Sequence, residues 1–246
     1  MTRTKYDKIY RDLKDKIENE VYAYQDLLPS EYTLIKQYEC SRNTIRRAIA
    51  NLVSEGYVQS LHGKGVRVIY EPYQQAEYIL GGVETFKESS IRNKKVYGTK
   101  VVCFQELVVD KEINKMTSIP EGTEIYYIQR LRLLDEKVLI IDHNYFRRDV
   151  VKHLTEEIAK GSIYEYIENE LGENIVTTKR FITVEKANEN DEKYLGLNGY
   201  NCVAVINNYT FNAKGVMFEF TQSRHKPDSF VFFDQAQRIK KPNYLL

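Results

Sequence analysis

The sequence predicts an α+β protein of two domains, an N-terminal winged helix-turn-helix and a larger C-terminal domain on a mainly antiparallel sheet. A length of 246 residues is typical of one large or two ordinary domains. Helical periodicity fills the first part of the chain, whereas hairpin-linked strands with helices set between them fill the rest. We place the first domain at 1–70, a linker at 71–80 and the second domain at 81–240.

The first domain is predicted to contain three helices and a hairpin. Apolar residues recur at helical spacing in 5–20, and Ser30 and Ser41 are suited to cap two further helices, the second of which ends at Gly56. Short strand-like runs flank the glycine-containing turn 62–65, which predicts a β-hairpin. Three helices followed by a hairpin make a winged helix.

Strand and helix patterns alternate in the second domain. Asp135-Glu136 separates two strand-like runs and indicates a tight hairpin turn. The predicted strands are 101–109, 124–134, 137–146, 174–185, 201–213, 216–224 and 229–236. The predicted helices are 110–117, 154–171 and 187–195.

Composition and charge exclude several classes of protein. The 36 basic and 35 acidic residues give a net charge of +1, so any affinity for nucleic acid must come from local charge. The three cysteines lie far apart, without a Cys-x-x-Cys pair or a Cys/His cluster, so we expect reduced thiols and no metal or other cofactor. The N-terminus lacks a signal-peptide core, and no run of about 18 apolar residues predicts a membrane span. We expect a cytoplasmic protein.

The segment Ser41–Arg67 is locally basic. It carries five basic residues and one acidic residue, a net charge of +4 in a chain that is otherwise balanced. Such a patch is the electrostatic footprint of nucleic-acid binding. In a helix-turn-helix, the first residues of the second helix meet base edges in the major groove, where arginine can donate two hydrogen bonds to guanine. The residues at this helix start are Arg42, Asn43, Thr44, Arg46 and Arg47.

The hairpin tip Gly63-Lys64-Gly65 suits a close approach to DNA. Glycine has no Cβ, and Lys64 adds a positive charge. Each feature has a plainer interpretation, because a lone exposed arginine is usually solvated and a Gly-Lys-Gly run is usually only a turn. The combination of helix caps, a basic first turn and a glycine wing is far more specific, and it predicts binding to double-stranded operator DNA.

A strand of the second domain carries two arginines on one face. Side chains alternate along a strand, so Arg130 and Arg132 project the same way as Ile128. Two guanidinium groups on one face can clamp a phosphate or a carboxylate. Ser162 is placed to cap a helix whose N-terminus is a second anion site, and Tyr164 lies two residues on. Taken alone, an Arg-x-Arg strand is more often a solvent face, and a serine cap is usually only a cap.

The run LPSEYTLIKQYECSRNTIRRAIANLVSEGYVQSLHGKGVRV resembles the DNA-binding domain of the GntR family of bacterial regulators. The shared pattern is LPSE, then SR-x-T-x-R, then L-x-x-x-G, then GKG. The likeness implies a DNA-contacting set of Ser30, Glu31, Arg42, Thr44, Arg46 and Gly63 to Gly65. One position departs from the pattern, because Tyr32 stands where many members carry an arginine that helps to read the operator.

Residues 80–236 resemble the effector-binding (UTRA) domain of the HutC subfamily, whose fold is similar to chorismate lyase. The stretches VETFKE, HLTEEIAKGSIYEYIENELG and FEFTQSRHKPDSFVFFDQAQR carry the likeness. His225 favours the trehalose-operon branch, because some relatives that bind amino-sugar phosphates have tyrosine there. The resemblance implies trehalose 6-phosphate as the effector. Its phosphate would meet Thr85, Phe86, Arg130, Arg132, Ser162 and Tyr164, and its sugar would meet Glu219, His225 and Asp142.

These features predict a homodimeric transcriptional repressor of a sugar-utilisation operon, released from its operator by a sugar phosphate. Two-fold pairing matches DNA half-sites, and the second domain is the expected dimer interface because the first is small. A regulator that senses another anion, such as glucosamine 6-phosphate, is the alternative. An enzyme of lyase-like fold is a weaker one, because no nucleophile–base pair can be placed and no catalytic residue is predicted. From spacing alone, Glu219 can point to solvent and His225 can be a turn residue.

Overall fold

The structure, a computed structural model, describes residues 5–71, 78–79 and 97–233. The chain divides into two compact units, residues 1–81 with 233–246 and residues 82–232. The predicted fold class is confirmed, since a winged helix precedes an α+β unit on an antiparallel sheet. Over the described ranges, no helix is long and apolar enough to cross a membrane.

The first unit is a winged helix. Its helices are α1 (Lys5–Glu18), α2 (Glu31–Tyr38) and α3 (Arg42–Ser54), and its hairpin pairs β1 (Val58–Leu61) with β2 (Gly65–Val68). The apolar stripes of the three helices meet in one core, where Leu13, Leu34, Ile45 and Leu52 are fully buried. Because α3 buries this stripe, its opposite side is left to solvent.

Local hydrogen bonds determine where α2 and α3 begin. Ser30 Oγ accepts a hydrogen bond from the Thr33 amide, and Ser41 Oγ accepts one from the Thr44 amide. Between the two helices, Glu39 adopts a left-handed conformation with a φ of 47°, which turns the chain. The caps therefore fix which side chains occupy the first turn of α3.

The second unit is built on one large sheet. The two short strands β3 (Tyr78–Ile79) and β10 (Phe232–Phe233) form a separate two-stranded sheet and are not part of this large sheet, and β3 lies in the first unit. The long strands are β4 (Tyr97–Val108), β5 (Glu124–Leu134), β6 (Lys137–Arg147), β7 (Ile175–Lys186), β8 (Cys202–Asn212) and β9 (Met217–His225). They form a six-stranded sheet in the order β4-β5-β6-β9-β8-β7, with every neighbouring pair antiparallel. The helices are α4 (Lys111–Thr117), α5 (Glu156–Lys160), α6 (Ile163–Glu165) and α7 (Glu189–Leu195).

Helices pack on both faces of this sheet. The front face, which includes Ile128 and Phe146, packs against α5, α6 and the π-helical turn Tyr166–Glu170. The rear face, which includes Leu131 and Ile141, packs against α7, and its other end packs against α4. Side chains alternate along a strand, so from Ile125 to Arg132 on β5 and from Ile140 to Arg147 on β6 the even-numbered residues lie on the front face and the odd-numbered residues on the rear face.

The structure departs from the sequence prediction in two segments. The expected helix 154–171 is divided into α5, α6 and the π-helical turn, because Gly161 is extended and Ser162 begins a new turn. The expected strand 229–236 corresponds, within the described residues, to the 3₁₀ turn Pro227–Ser229 and β10. The amides of Ser229 and Phe230 bond back to the carbonyls of Lys226 and Pro227 in this turn, so the strand begins only at Phe232.

Candidate DNA-binding surface and effector site

The start of α3 presents two arginines on one exposed surface. Arg42 and Arg46 lie four residues apart, and their side chains are 65% and 61% exposed. Glu31, at the start of α2, accepts hydrogen bonds from Arg46 Nε at 3.0 and 3.2 Å and lies 3.8 Å from Arg42 Nε. Exposed ion pairs add little stability, so the effect of Glu31 is to orient the two guanidinium groups.

The remaining helix-start residues predicted to contact DNA have different surroundings. Ser41 Oγ and Thr44 Oγ1 are 2.9 Å apart within the cap, and Asn43 is exposed between them in sequence. The guanidinium of Arg47 lies 3.9 Å from the ring centroid of Tyr6 in α1. Arg47 therefore braces α1 against α3, whereas Asn43 stays with the exposed group.

The wing ends in an exposed lysine between two glycines. Gly63 and Gly65 have φ values of 71° and 106°, a region that residues with a Cβ rarely adopt. A Cβ at either position would meet nothing within 4 Å, so glycine is needed here for backbone conformation rather than for clearance. The wing tip thus combines accessible backbone with the charge of Lys64.

On the front face of the second unit, the two predicted arginines have different partners. Arg132 donates from Nε to Asp142 Oδ2 and from Nη1 to Thr99 Oγ1, each at 2.7 Å. Arg130 is 5% exposed and donates from Nε to Asn144 Oδ1 at 2.8 Å. In the part of the chain that the structure describes, no carboxylate lies within ion-pair distance of Arg130. Among the described residues, Arg130 is therefore a buried charge without a carboxylate counter-ion.

The two arginines repel each other in this buried setting. Burial, and then the like charge of Arg132, lower the pKa of Arg130 to about 9, so Arg130 stays protonated at neutral pH. Burial opposes ionisation of Asp142, but the charges of Arg132 and Arg130 outweigh it and hold the pKa of Asp142 below its usual value. Among the described residues, the two arginines thus carry two positive charges and have one bonded carboxylate, that of Asp142.

A chain of hydrogen bonds leads from Arg130 across the sheet. Asn144 Nδ2 donates to Thr221 Oγ1 at 2.7 Å, and Thr221 Oγ1 donates to Glu219 Oε1 at 2.6 Å. Tyr164, from α6, donates to Glu219 Oε2 at 2.5 Å. Burial raises the pKa of Glu219 above its usual value, against the hydrogen bonds from Thr221 and Tyr164. The front face therefore holds a connected polar network rather than isolated groups.

Asp142 and His225 lie on the same face. Ser223 Oγ donates to Asp142 Oδ1 at 2.6 Å, so each oxygen of that carboxylate has a partner. His225 is 3% exposed at the end of β9, and its ring centroid is 4.9 Å from that of Phe230. Burial lowers the pKa of His225 to about 4, so its ring is neutral near pH 7.

The structure thus brings most of the predicted effector residues together. The residues that share the front face or contact it are Arg130, Arg132, Asp142, Tyr164, Glu219 and His225. Ser162 caps its short turn by accepting a hydrogen bond from the Glu165 amide at 3.3 Å. Thr85 and Phe86 lie outside the described residues. Over the described ranges, no group of three or more metal-ligating side chains is present.

Sequence reasoning missed the uncharged polar residues that join this network. Asn144 follows Asp142 by two residues on β6, and Thr221 and Ser223 lie between Glu219 and His225 on β9. Every second residue from Glu219 to His225 is polar and faces the front. That period of two is a signal that could have identified Thr221 and Ser223.

Two protein families match the chain. Residues 5–68 match the bacterial regulatory proteins of the gntR family, and residues 92–231 match the UTRA domain. The HTH-type transcriptional regulator TreR of Bacillus subtilis is 36% identical over 240 residues, which cover 98% of this chain and 100% of that protein.

Solved structures are similar as well. The effector-binding domain of the B. subtilis trehalose repressor is 38% identical with a TM-score of 0.53, and the match covers 58% of this chain and 99% of that domain. The possible transcriptional regulator YydK of B. subtilis has a TM-score of 0.82 at 24% identity, over 96% of this chain and 100% of its own. At that identity the second likeness supports the fold alone.

Proposed function

This chain belongs to the gntR family of bacterial regulatory proteins and carries a UTRA domain, and from that premise we propose that it represses a sugar-utilisation operon. The winged helix binds operator DNA, and the second domain binds a sugar phosphate that releases the repressor. The favoured effector is trehalose 6-phosphate, and glucosamine 6-phosphate is the alternative.

Arg130 is the observation that carries this proposal. A buried charge is stable only when it is paired and hydrogen-bonded, and Arg130 has one hydrogen bond, to Asn144, and no carboxylate partner in the described structure. A phosphate group, with a charge of about −1.5 to −2, would supply the missing counter-charge and several acceptor oxygens. Arg132, two residues on, would add a second guanidinium on the same side.

The rest of the front face favours a sugar without a charged amine. A cationic amine would need an ionised carboxylate, but Asp142 already has two partners. Glu219 is bound by Tyr164 and Thr221, and burial raises its pKa. Neutral hydroxyl groups match such donors and acceptors, which supports trehalose 6-phosphate over glucosamine 6-phosphate. The likeness to the effector-binding domain of the B. subtilis trehalose repressor supports the same choice.

The proposed residue sets follow from these contacts. For the effector they are Arg130, Arg132, Asp142, Ser162, Tyr164, Glu219 and His225, with Thr85 and Phe86 outside the described residues. For DNA they are Ser30, Glu31, Arg42, Asn43, Thr44, Arg46, Gly63, Lys64 and Gly65, whereas Arg47 packs on Tyr6. We assign 1–70 to DNA binding, 71–80 to a linker and 81–240 to effector binding and dimerisation. A repressor acts on chromosomal DNA, which places it in the cytoplasm.

The edge strand β7 is our candidate for the interface of a homodimer. It is 12 residues long and ends the sheet, so one side of its backbone has no strand partner in the described structure. Its exposed apolar side chains are Val176, Phe181, Ile182 and Val184. The opposite edge, β4, exposes the polar residues Lys100, Gln105 and Glu106, which blunt it against pairing, and one large apolar side chain, Val108. Pairing with a second copy would cover β7 and match a palindromic operator.

Release of operator DNA by sugar phosphates tests the proposed effector site. We expect trehalose 6-phosphate, but not free trehalose, to release wild-type protein from its operator in a fluorescence anisotropy titration. Arg130→Met should bind operator normally and lose about 10- to 150-fold in effector affinity, as expected when a charge-assisted contact of about 1.5–3 kcal/mol is removed. Arg148→Met is the matched control, since Arg148 is paired with Glu106 at 3.0 Å.

Two results would contradict the proposal. One is that none of the sugar phosphates changes operator affinity, and the other is that Arg130→Met is released as readily as wild type. Recovery of the effector unchanged after prolonged incubation is expected of a sensor. Its conversion to another product would favour an enzyme instead.

A further inference from the structure

A cavity lies on the rear face of the sheet, on the side opposite the front-face residues proposed to bind the sugar phosphate. Its volume is about 670 Å³, within the range of small-molecule sites. Its floor is formed by β5, β6 and β9, and its walls by α4 and the start of α7. Asn188, Glu189 and Lys193 at its rim are exposed, so the cavity opens to solvent.

The part of the floor of this rear cavity that β5 and β6 form is aromatic and uncharged. The ring centroids of Tyr127 and His143 are 6.2 Å apart with planes 15° from parallel, and Tyr127 Oη lies 2.9 Å from His143 Nδ1. Tyr145 lies beside them, with its ring centroid 5.0 Å from that of Tyr127. Burial lowers the pKa of His143 and raises the pKa of Tyr145 to about 12, so both are neutral near pH 7.

The positive charges around the rear cavity have carboxylates beside them, and the five charged groups named below sum to one negative charge. Arg224 donates to both oxygens of Asp191 at 2.8 Å and to Glu185 at 2.7 Å, so its charge is fully matched. At the rim, Glu189 and Lys193 carry opposite charges. This is the reverse of the front face, where Arg130 lacks a carboxylate partner. An anion would gain little here, whereas a neutral polar ligand avoids any charge penalty.

We propose that the rear cavity is a second ligand site and binds an uncharged mono- or disaccharide. The aromatic floor matches the apolar C–H face of a sugar ring. The amides of Gln222 and Asn190, together with the tyrosine hydroxyls, match the hydroxyl groups of a sugar. A few convergent polar groups on an aromatic surface are the usual composition of such sites. The inference does not depend on the identity of the front-face effector.

The two sites share their strands back to back. His143 lies between Asp142 and Asn144 on β6, and Gln222 lies between Thr221 and Ser223 on β9. A sugar on the rear face therefore contacts the same backbone segments that carry the front-face network. The rear site is placed to change the affinity of the front site, and any such coupling must be reciprocal.

Calorimetric titration of the full-length protein with glucose, maltose and trehalose tests this inference. At least one sugar should bind saturably, and Arg130→Met should bind it as wild type does because the front face is not involved. Glu189→Trp places an indole at the cavity rim and should weaken binding by at least about tenfold. Glu192→Trp is the matched control on the same helix, outside the cavity lining, and should change affinity by less than about twofold.

Several outcomes would overturn the rear site. One is that none of the three sugars binds, and another is that both tryptophan variants lose binding equally. Loss of binding in Arg130→Met with retention in Glu189→Trp would assign the sugar to the front face. Dissociation of a dimer by Glu189→Trp in sedimentation would make the rear cavity a protein interface. Failure of trehalose 6-phosphate to release DNA would bear on the proposed function alone, because the rear site is tested without DNA.

Discussion

Arg130 and Arg132 lie two residues apart on one strand, yet their partners give them different roles. Arg132 and Asp142 form a buried ion pair whose side chains are each 9% exposed. Removing one member of such a pair leaves an uncompensated buried charge and destabilises the fold. Arg130 has no carboxylate partner among residues 5–71, 78–79 and 97–233, so its removal is expected to affect ligand binding more than folding. The difference between the two arginines is set by the side chain that each one contacts diagonally across the strands, Asp142 for Arg132 and Asn144 for Arg130.

Removal of the carboxylate at Asp142 should therefore destabilise the second unit. We expect Asp142→Asn to lower the free energy of unfolding by about 3–5 kcal/mol at pH 7, because Arg132 is left buried without its counter-ion. The exposed pair of Arg147 with Asp149 provides the control, and Asp149→Asn should cost less than about 1 kcal/mol. Urea unfolding followed by circular dichroism measures both.

The difference in unfolding free energy between wild type and Asp142→Asn should decrease at low pH. The folded-state pKa of Asp142 is lowered below the ordinary value of 3.8, so its ionised form stabilises the fold above that pH. This stabilisation is lost as the pH falls below 3.8 and through the folded-state pKa. We expect the difference between wild type and Asp142→Asn to narrow in this range. A difference that stays constant would contradict the ion-pair explanation.

The arginines at the start of α3 also have different roles. Arg42 and Arg46 are exposed, whereas Arg47 packs on Tyr6. Arg42→Ala should weaken operator binding by about 1–3 kcal/mol and reduce the preference for operator over scrambled DNA, since Arg42 is exposed and oriented by Glu31. Arg47→Ala should instead reduce thermal stability by about 0.5–1 kcal/mol, because it removes the contact with Tyr6. Gel-shift titrations on operator and scrambled DNA measure the effect of Arg42→Ala on binding, and thermal unfolding measures the effect of Arg47→Ala on stability. Equal losses on both DNAs for Arg42→Ala would exclude base reading.

Individual elements show how far the sequence determines this fold. Serine caps and apolar stripes predicted α2 and α3, and strand patterns with the Asp135-Glu136 turn predicted β5 and β6, because these signals are local. The division of 154–171 was not predicted, since apolar periodicity continues through Gly161 and hides the extended residue. Partners across strands were not predictable either. The register pairs Arg130 with Asp142 and Ile128 with Asn144, yet the side chains bond diagonally, Arg132 to Asp142 and Arg130 to Asn144.

The edge strand β7 makes a specific prediction about assembly. Val184, which is 74% exposed near the end of β7, would be covered if a second copy pairs with this edge. Val184→Lys should therefore weaken the dimer, because a lysine at a paired edge places a charge in an apolar contact. Val108→Lys is the matched control, since Val108 is 60% exposed at the end of β4 on the opposite edge. Sedimentation equilibrium measures both variants. Equal behaviour of the two, or a monomeric wild type, would reject the β7 interface.

At the scale of the whole molecule, the effector must change the affinity of the protein for operator DNA. Effector binding releases DNA only if the effector prefers the arrangement that does not bind the operator, since equal affinity for both arrangements shifts nothing. In a dimer, this preference can depend on the distance between the two winged helices. Two winged helices bind half-sites only at a fixed spacing, so a modest change in their separation is sufficient to release them.

Reciprocity between the two ligands provides the last prediction. If trehalose 6-phosphate weakens operator binding by a given factor, operator must weaken trehalose 6-phosphate binding by the same factor, and couplings of this kind are typically about 5- to 150-fold. Fluorescence anisotropy with and without saturating effector gives the first factor, and calorimetry with and without saturating operator gives the second. Arg130→Met should lower effector affinity in both calorimetric titrations, because Arg130 is placed to bind the phosphate in either arrangement. Because this reciprocity holds wherever the sugar phosphate binds, the variant decides which site is used. If wild type and Arg130→Met lose operator at the same concentration of trehalose 6-phosphate, the sugar phosphate acts at another place, such as the winged helix itself, and the front-face site is not the sensor.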